Sequence, residues 1–273
     1  MSYSHPPARE SGQAAVEAAL VMPMMVFIVL CTIQLGMMHH ARLMTEYAAY
    51  RAVRAGIVNS GSCEIMKDSA LISLLPTLGP IGPLPGRSDT LGRALALHRT
   101  FKALNLNDNK YLGSGLKVMK VEVLNPKKSQ LTNLFNTYAV YSAHNNQTHR
   151  AEIDFDDQRD NKVIEANLLS VRITYFYQMR VPIVNKFMHG WFLGLEYLKD
   201  LRGVQFDNQK VFGVSETVYL RGRGALKGGD YARMATLATR PLPMYVVPMV
   251  TTYSMRMQSN LMKNQVEGCA VDG

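Results

Sequence analysis

Between Ala18 and Met38 the chain runs 21 residues without a charged side chain, close to the roughly 20 that carry a helix across a bilayer. No other stretch is comparably apolar. Helical character continues beyond it. In ARLMTEYAAYRAVRAGIVN, Leu43, Tyr47 and Tyr50 recur at helical spacing, while Ala41, Ala48, Ala49, Ala52 and Ala55 keep the helix slim. Gly56 and the Asn59-Ser60-Gly61 cluster supply the stop. The pattern predicts one helix from about Ala14 to Val58, roughly 60 Å long, half in lipid and half projecting beyond it. A secretory signal peptide is the competing reading, but its apolar core would be shorter and would not run on as helix. Pro23 removes one backbone hydrogen bond early in the segment and predicts a kink.

Downstream the grammar changes twice. Residues 59–110 read as an irregular connector with short helices, broken by Pro76, Pro80, Pro83 and Pro85 and by Gly79, Gly82 and Gly86. Asp89 is placed to cap a helix through Leu91, Leu95, Leu97 and Phe101. Residues 111–260 read as an α+β domain. Its strand signals are Leu116 to Leu124, Val211 to Leu220, Met249 to Met257 and, most clearly, Leu169 to Gln178. In that last run Leu169, Val171, Ile173, Tyr175 and Tyr177 alternate with Ser170, Arg172, Thr174, Phe176 and Gln178. Ile183 to Leu201 returns to helical spacing, with Phe187, Trp191, Leu195 and Leu198 on one side. That side is expected to face the core, and a membrane surface is the alternative. Residues 261–273 read as a tail.

Composition adds class and compartment. The net charge of +9 suits acidic partners in general, but the basic residues are scattered, which is the signature of a solvated surface. Three cysteines are too few for a disulfide-built scaffold. Cys31 sits inside the apolar run and reads as a small buried side chain. Cys63 and Cys269 flank the soluble part. In an oxidising compartment they would either close one bridge around nearly the whole domain or remain thiols.

The chemistry-bearing motif is Ser11-Gly12-Gln13-Ala14-Ala15-Val16-Glu17, followed at once by the apolar run. A glycine at the end of a short polar leader, with glutamate as the fifth residue beyond it, resembles the processing site of type IV prepilins. QAAVEAALVMPMMVFIVL more closely resembles the start of TadE-like pseudopilins of the tight-adherence (Tad) pilus. Val16, Glu17, Ala19, Leu20 and Pro23 match that family's pattern, while Ala18 stands where it usually has an aromatic residue. The resemblance covers the first ~60 residues well. It implies an inner-membrane prepilin peptidase cutting between Gly12 and Gln13, leaving residues 1–12 as a leader and 13–58 as the anchor helix. It also implies that Glu17 docks against the amino terminus of a neighbouring subunit, since a carboxylate at the edge of hydrocarbon persists where it has a partner. Stabilisation by the helix dipole alone is the plainer account of Glu17.

Orientation carries a conflict. Arg9 precedes the span, whereas Arg42, Arg51 and Arg54 follow it, so the positive-inside rule alone would keep the large domain in the cytoplasm. Prepilin-type segments enter with the N-terminus inside, which puts the domain in the periplasm. Weaker signals read as ordinary surface: His39-His40, His144 and His149, the acidic stretch Glu152 to Asp160, and Arg221, Arg223 and Lys227 on a glycine-rich loop. The acidic stretch lacks the glycine turn and terminal glutamate of a calcium loop. There is no GxSxG elbow, HExxH or phosphate-binding glycine loop.

The expectation is therefore an α+β, pilin-like protein with a long transmembrane helix continuing into a periplasmic domain with an antiparallel sheet. By resemblance it is a minor pilin or pseudopilin of a Tad-type pilus or related secretion machine, with no enzymatic activity, metal or cofactor. Its partners would be other Tad pilins, the inner-membrane assembly platform, the prepilin peptidase and membrane lipid, and not nucleic acid. A single-pass, membrane-anchored sensor or binding module is the alternative, and an anchored enzyme a third reading.

Overall fold

The computed structural model of the protein describes residues 11–78, 90–111, 113–144, 152–156, 160–202, 226 and 228–271. Its first element, α1 (Ser11–Val58), is a helix of 48 residues that runs unbroken through Pro23. Its end is closed from two directions. Ser60 takes a left-handed backbone (φ 54°), and the Gly61 N–H donates back to the Gly56 carbonyl at 2.8 Å, the six-to-one bond of a Schellman stop. The carbonyl of Ile57 accepts instead the Ser259 hydroxyl at 2.8 Å and the Gln258 N–H at 3.1 Å, and the Ser60 N–H donates to the Ser259 hydroxyl oxygen at 2.9 Å.

Helix α2 (Cys63–Leu78) follows and folds back along α1. Met66, Ala70, Leu71, Leu74, Leu75 and Leu78 form its buried stripe. The alanines at 41, 48, 49 and 52 of α1 are wholly buried, which leaves room for the elements packed on that helix to come close. At Gly56 a Cβ would stand 2.7 Å from both Leu169 and Met66. Residues 59–78, read from sequence as part of a connector, are thus largely a core helix. Pro76 is accommodated on its exposed side in the last turn. The three prolines beyond it, and Asp89, lie outside the described residues.

Short helices α3 (Thr90–Ala103) and α4 (Leu106–Asn109) lead into strand β1 (Met119–Asn125), then α5 (Lys128–His144), β2 (Glu152–Ile153) and α6 (Asn161–Ala166). The central strand β3 (Leu168–Gln178) is followed by α7 (Val184–Arg202), α8 (Gly228–Ala238), β4 (Val246–Arg256), β5 (Leu261–Met262) and α9 (Lys263–Val266). The main sheet has the order β1-β3-β4 and is antiparallel throughout, with Val121 opposite Ile173 and Val171 opposite Tyr253. The α+β class with an antiparallel sheet behind a long apolar helix is therefore as the sequence predicts.

The alternating run on β3 faces inward: Leu169, Val171, Ile173, Tyr175 and Tyr177 are buried against α1 and α2. Thr174 and Phe176 are buried as well, because α7 and α8 close over the opposite face at that end. There the His189 ring binds the Val246 carbonyl at 3.0 Å, and Lys120 reaches Asp230 at 2.7 Å. The stretch after residue 260 is structure rather than tail. β5 pairs with β2, Ala270 bridges Val123, and Cys269 lies against Cys63 with Cα atoms 5.7 Å apart. The strand expected at 211–220 and most of the loop expected at 221–229 lie outside the described residues, while Gly228 and Gly229, read as the end of that loop, open α8.

Candidate functional site

The residues singled out by sequence share the free end of α1. Gly12 and Gln13 fall in its first turn and Glu17 about one turn further on, exposed. From Ala15 to Ile33 no side chain is buried. Those 19 positions extend about 28 Å at helical rise, against roughly 30 Å for a hydrocarbon core. Leu20, Met22, Met24, Val26 and Ile28 are each more than half exposed, so apolar surface surrounds this section. A helix long and apolar enough to cross a membrane, with its apolar window wholly unburied, is present here. Cys31, expected to be buried, is a free thiol at intermediate exposure on this stem.

Burial begins at Gln34. Its side chain is completely enclosed, and its Oε1 accepts the Val181 N–H at 3.0 Å. That bond satisfies the amide oxygen, while the buried Nε2 has no hydrogen-bond partner among the described residues. From Ala41 onward α1 is docked. Thr45, also buried, donates to the Ala41 carbonyl one turn back at 2.8 Å. The arginines behind the orientation conflict are engaged on the outer side of the same helix. Arg42 pairs with Glu46 at 3.4 Å, Arg51 lies over the Tyr47 ring, and Arg54 donates to the Tyr50 hydroxyl at 2.9 Å. Tyr50 in turn meets Tyr253 of β4 edge-on. His39 and His40 are exposed.

A titratable group of residues lies where α2 ends against the sheet. Arg180 donates to the Thr77 carbonyl at 2.6 Å and Lys110 to the Leu78 carbonyl at 3.1 Å. Two cations therefore stand at a helix C-terminus, where the dipole favours them. Burial, with Arg180 nearby, pushes the Lys110 ammonium down to about 8. Burial pushes the Tyr175 phenol up to about 12 and Tyr111 well above its ordinary value. Both hydroxyls are placed: Tyr111 donates to the Phe176 carbonyl at 2.7 Å, and Tyr175 meets the Thr77 hydroxyl at 3.1 Å. This cluster is a polar seam in the core.

The remaining sequence candidates separate. Asp160 caps α6 by accepting the Lys162 N–H at 3.0 Å, which explains one acid of the acidic stretch. Among the described residues no group of three His, Cys, Asp or Glu side chains could hold a metal ion. His149 and most of the Arg221 loop lie outside the described residues. Gln34, a lone amide near the far end of the apolar run, reads from sequence as satisfied by a neighbouring helix or interface water; its partner is instead the backbone of Val181, between β3 and α7. Sequence reading also placed the Phe187, Trp191 and Leu195 side of α7 toward the core, and that expectation is corrected. All three are exposed, while Val184, His189 and Phe192 are buried instead.

No curated protein and no solved structure matches the chain significantly. What the chain is similar to is confined to the stem and its docked half, and there the resemblance carried by Gly12 through Pro23 holds. Residues 12–54 match the family model described as TadE-like protein.

Proposed function

We propose that this chain is a TadE-like minor pilin or pseudopilin that helps to assemble or prime a Tad-type pilus or a related secretion machine. The observation that carries this reading is the single unbroken helix α1. It presents Glu17 on an exposed apolar stem of membrane length and fixes that stem by its other half to a folded α+β domain. The family is generally structural rather than catalytic, and a membrane anchor fits both the helix and the family.

In this reading a prepilin peptidase at the inner membrane cuts between Gly12 and Gln13. The new amino group on Gln13 then becomes the partner for Glu17 of the next subunit, setting stagger as stems bundle. The domain is periplasmic, where Cys63 and Cys269 would be oxidised. The 5.7 Å between their Cα atoms supports that pairing. The engagement of Arg42, Arg51 and Arg54 by Glu46, Tyr47 and Tyr50 one turn away on α1 gives those charges a use other than retaining the domain inside.

Sequencing the mature N-terminus from membranes with active peptidase tests the processing step, with Gln13 expected first and an intact Met1 counting against it. Glu17→Ala is expected to leave insertion intact and impair assembly. Equal piliation or secretion by that variant would instead favour a protein whose helix is only an anchor.

A further inference from the structure

We propose that α7 is a second membrane contact, lying in the lipid interface beside the α1 stem with its Ile183, Phe187, Trp191 and Leu195 edge against acyl chains. The inference rests on the reading of α1 as a membrane span. Those four side chains, including the residue just before the helix, recur every fourth position and are 68%, 57%, 64% and 39% exposed. Gly190 and Gly194 interleave with them, and a Cβ at either would meet nothing. The edge therefore faces open space.

Rotation cannot hide it. The opposite side of α7 is already committed: Val184 is fully buried, Phe192 stacks on Tyr231 of α8, and His189 holds the Val246 carbonyl at 3.0 Å. Turning the exposed edge inward would break all three contacts.

Its occupant follows from what it adjoins. The Gln34 bond to Val181 fixes the approach to α7 at the level where the stem becomes buried. From there Phe187 reaches the Phe27 ring, with centroids 5.7 Å apart and nearly perpendicular. Phe27 precedes Gln34 by about two helical turns, roughly 10 Å along α1, well inside the apolar section in which no side chain is buried. An open groove of about 370 Å³, lined by Cys31, Leu35, Met38 and Trp191 among others, joins the two helices. The apolar edge of α7 is thus continuous with the surface that α1 gives to lipid. The depth suits an interfacial helix, whose apolar face sinks about 5–10 Å below the headgroups. Tryptophan is enriched at that level, and exposed Lys186 beside Phe187 can extend its ammonium to the headgroups. The domain would then sit down on the bilayer rather than stand off on a stalk.

Trp191 is the single tryptophan of the chain, so its emission reports this edge alone. The full-length protein is reconstituted in phosphatidylethanolamine/phosphatidylglycerol vesicles with or without bromine on the acyl chains, and a Trp191→Phe/Val29→Trp variant reports the stem. The expected result is blue-shifted Trp191 emission that loses roughly half its intensity in brominated lipid, consistent with shallow burial, with quenching of the Val29→Trp variant alongside. Quenching of Val29→Trp without quenching of Trp191 overturns the α7 contact and leaves the span intact. If Trp191 is then red-shifted, its edge stands in water; if blue-shifted, it is covered by a neighbouring subunit. Failure of both to quench overturns the span reading together with this one.

Discussion

The Oε1 of Gln34 accepts the Val181 N–H at 3.0 Å, joining the first buried side chain of α1 to the residue that turns the chain from β3 into α7. This bond holds together the stem, the sheet and the exposed α7 edge. Gln34→Leu would leave the buried Val181 N–H without its acceptor, a cost of about 1–3 kcal/mol that removal of the unpartnered buried Nε2 offsets in part. The expected outcome is a lower unfolding midpoint in detergent and faster amide exchange at Val181, with the exposed stem and its insertion unchanged. Unaltered exchange at Val181 would show that the bond holds nothing in place.

The end of α1 is similarly tied to the far end of the chain. Ser259 receives the Ser60 N–H and donates to the Ile57 carbonyl, satisfying two helix-end groups with one hydroxyl. Ser259→Ala is expected to cost about 1–2 kcal/mol. Gly61→Ala should cost more. It combines a positive φ of 75° with a Cβ that would collide with the Val266 side chain, so the left-handed penalty of about 1–2 kcal/mol adds to overpacking. Chemical unfolding of both variants should rank them in that order below the parent protein.

Cys63 and Cys269 lie 206 residues apart in sequence but adjacent in the fold. Closing so long a loop constrains the unfolded chain, and its loss typically costs 2–5 kcal/mol. Non-reducing peptide mapping of protein exported by its native host should find the two cysteines in one linked pair, with Cys31 free. Reduction, or Cys63→Ser with Cys269→Ser, should lower the unfolding midpoint. Recovery of both thiols in alkylatable form from untreated cells would contradict the periplasmic assignment.

Local periodicity made some of this fold legible. The uncharged run and the alanine spacing after it specify α1 without help from the rest of the chain, and the alternation at 169–178 specifies β3 and its inward face. α2 carried an equally regular stripe at Met66, Ala70, Leu74 and Leu78, but Pro76 and the breakers after it masked the helix. α7 fails for a different reason. Its spacing is right, yet it has apolar residues on two sides, Ile183, Phe187 and Trp191 on one and Val184, Met188 and Phe192 on the other. Periodicity cannot say which side meets protein; that is decided by Tyr231 and Val246, distant in sequence. The final residues were illegible because a two-residue strand and a single bridge leave no periodic trace. Of the candidate site, the head from Gly12 to Glu17 was legible as a motif, whereas the role of Gln34 depended on a partner 147 residues away.

The polar seam at the end of α2 predicts a stability curve with its maximum in alkali. Lys110 has a folded value of about 8 against 10.5 when free. Between those values the unfolded chain binds more protons, so stability rises with pH across that window. At neutral pH the buried ammonium is mostly charged and most of its desolvation cost is present. Tyr175 acts in the opposite sense. Its folded value of about 12 lies above 10.0, so the folded state holds its proton longer and stability falls as pH climbs from 10 toward 12. The two windows meet near pH 10. Equilibrium unfolding of the oxidised protein in detergent should therefore show a gain on the order of 2 kcal/mol from neutral pH to that maximum, then a decline. Lys110→Met should remove most of the rising limb and spare the falling one, whereas Tyr175→Phe should blunt only the fall. A rise that survives in Lys110→Met would assign it to some group other than this lysine.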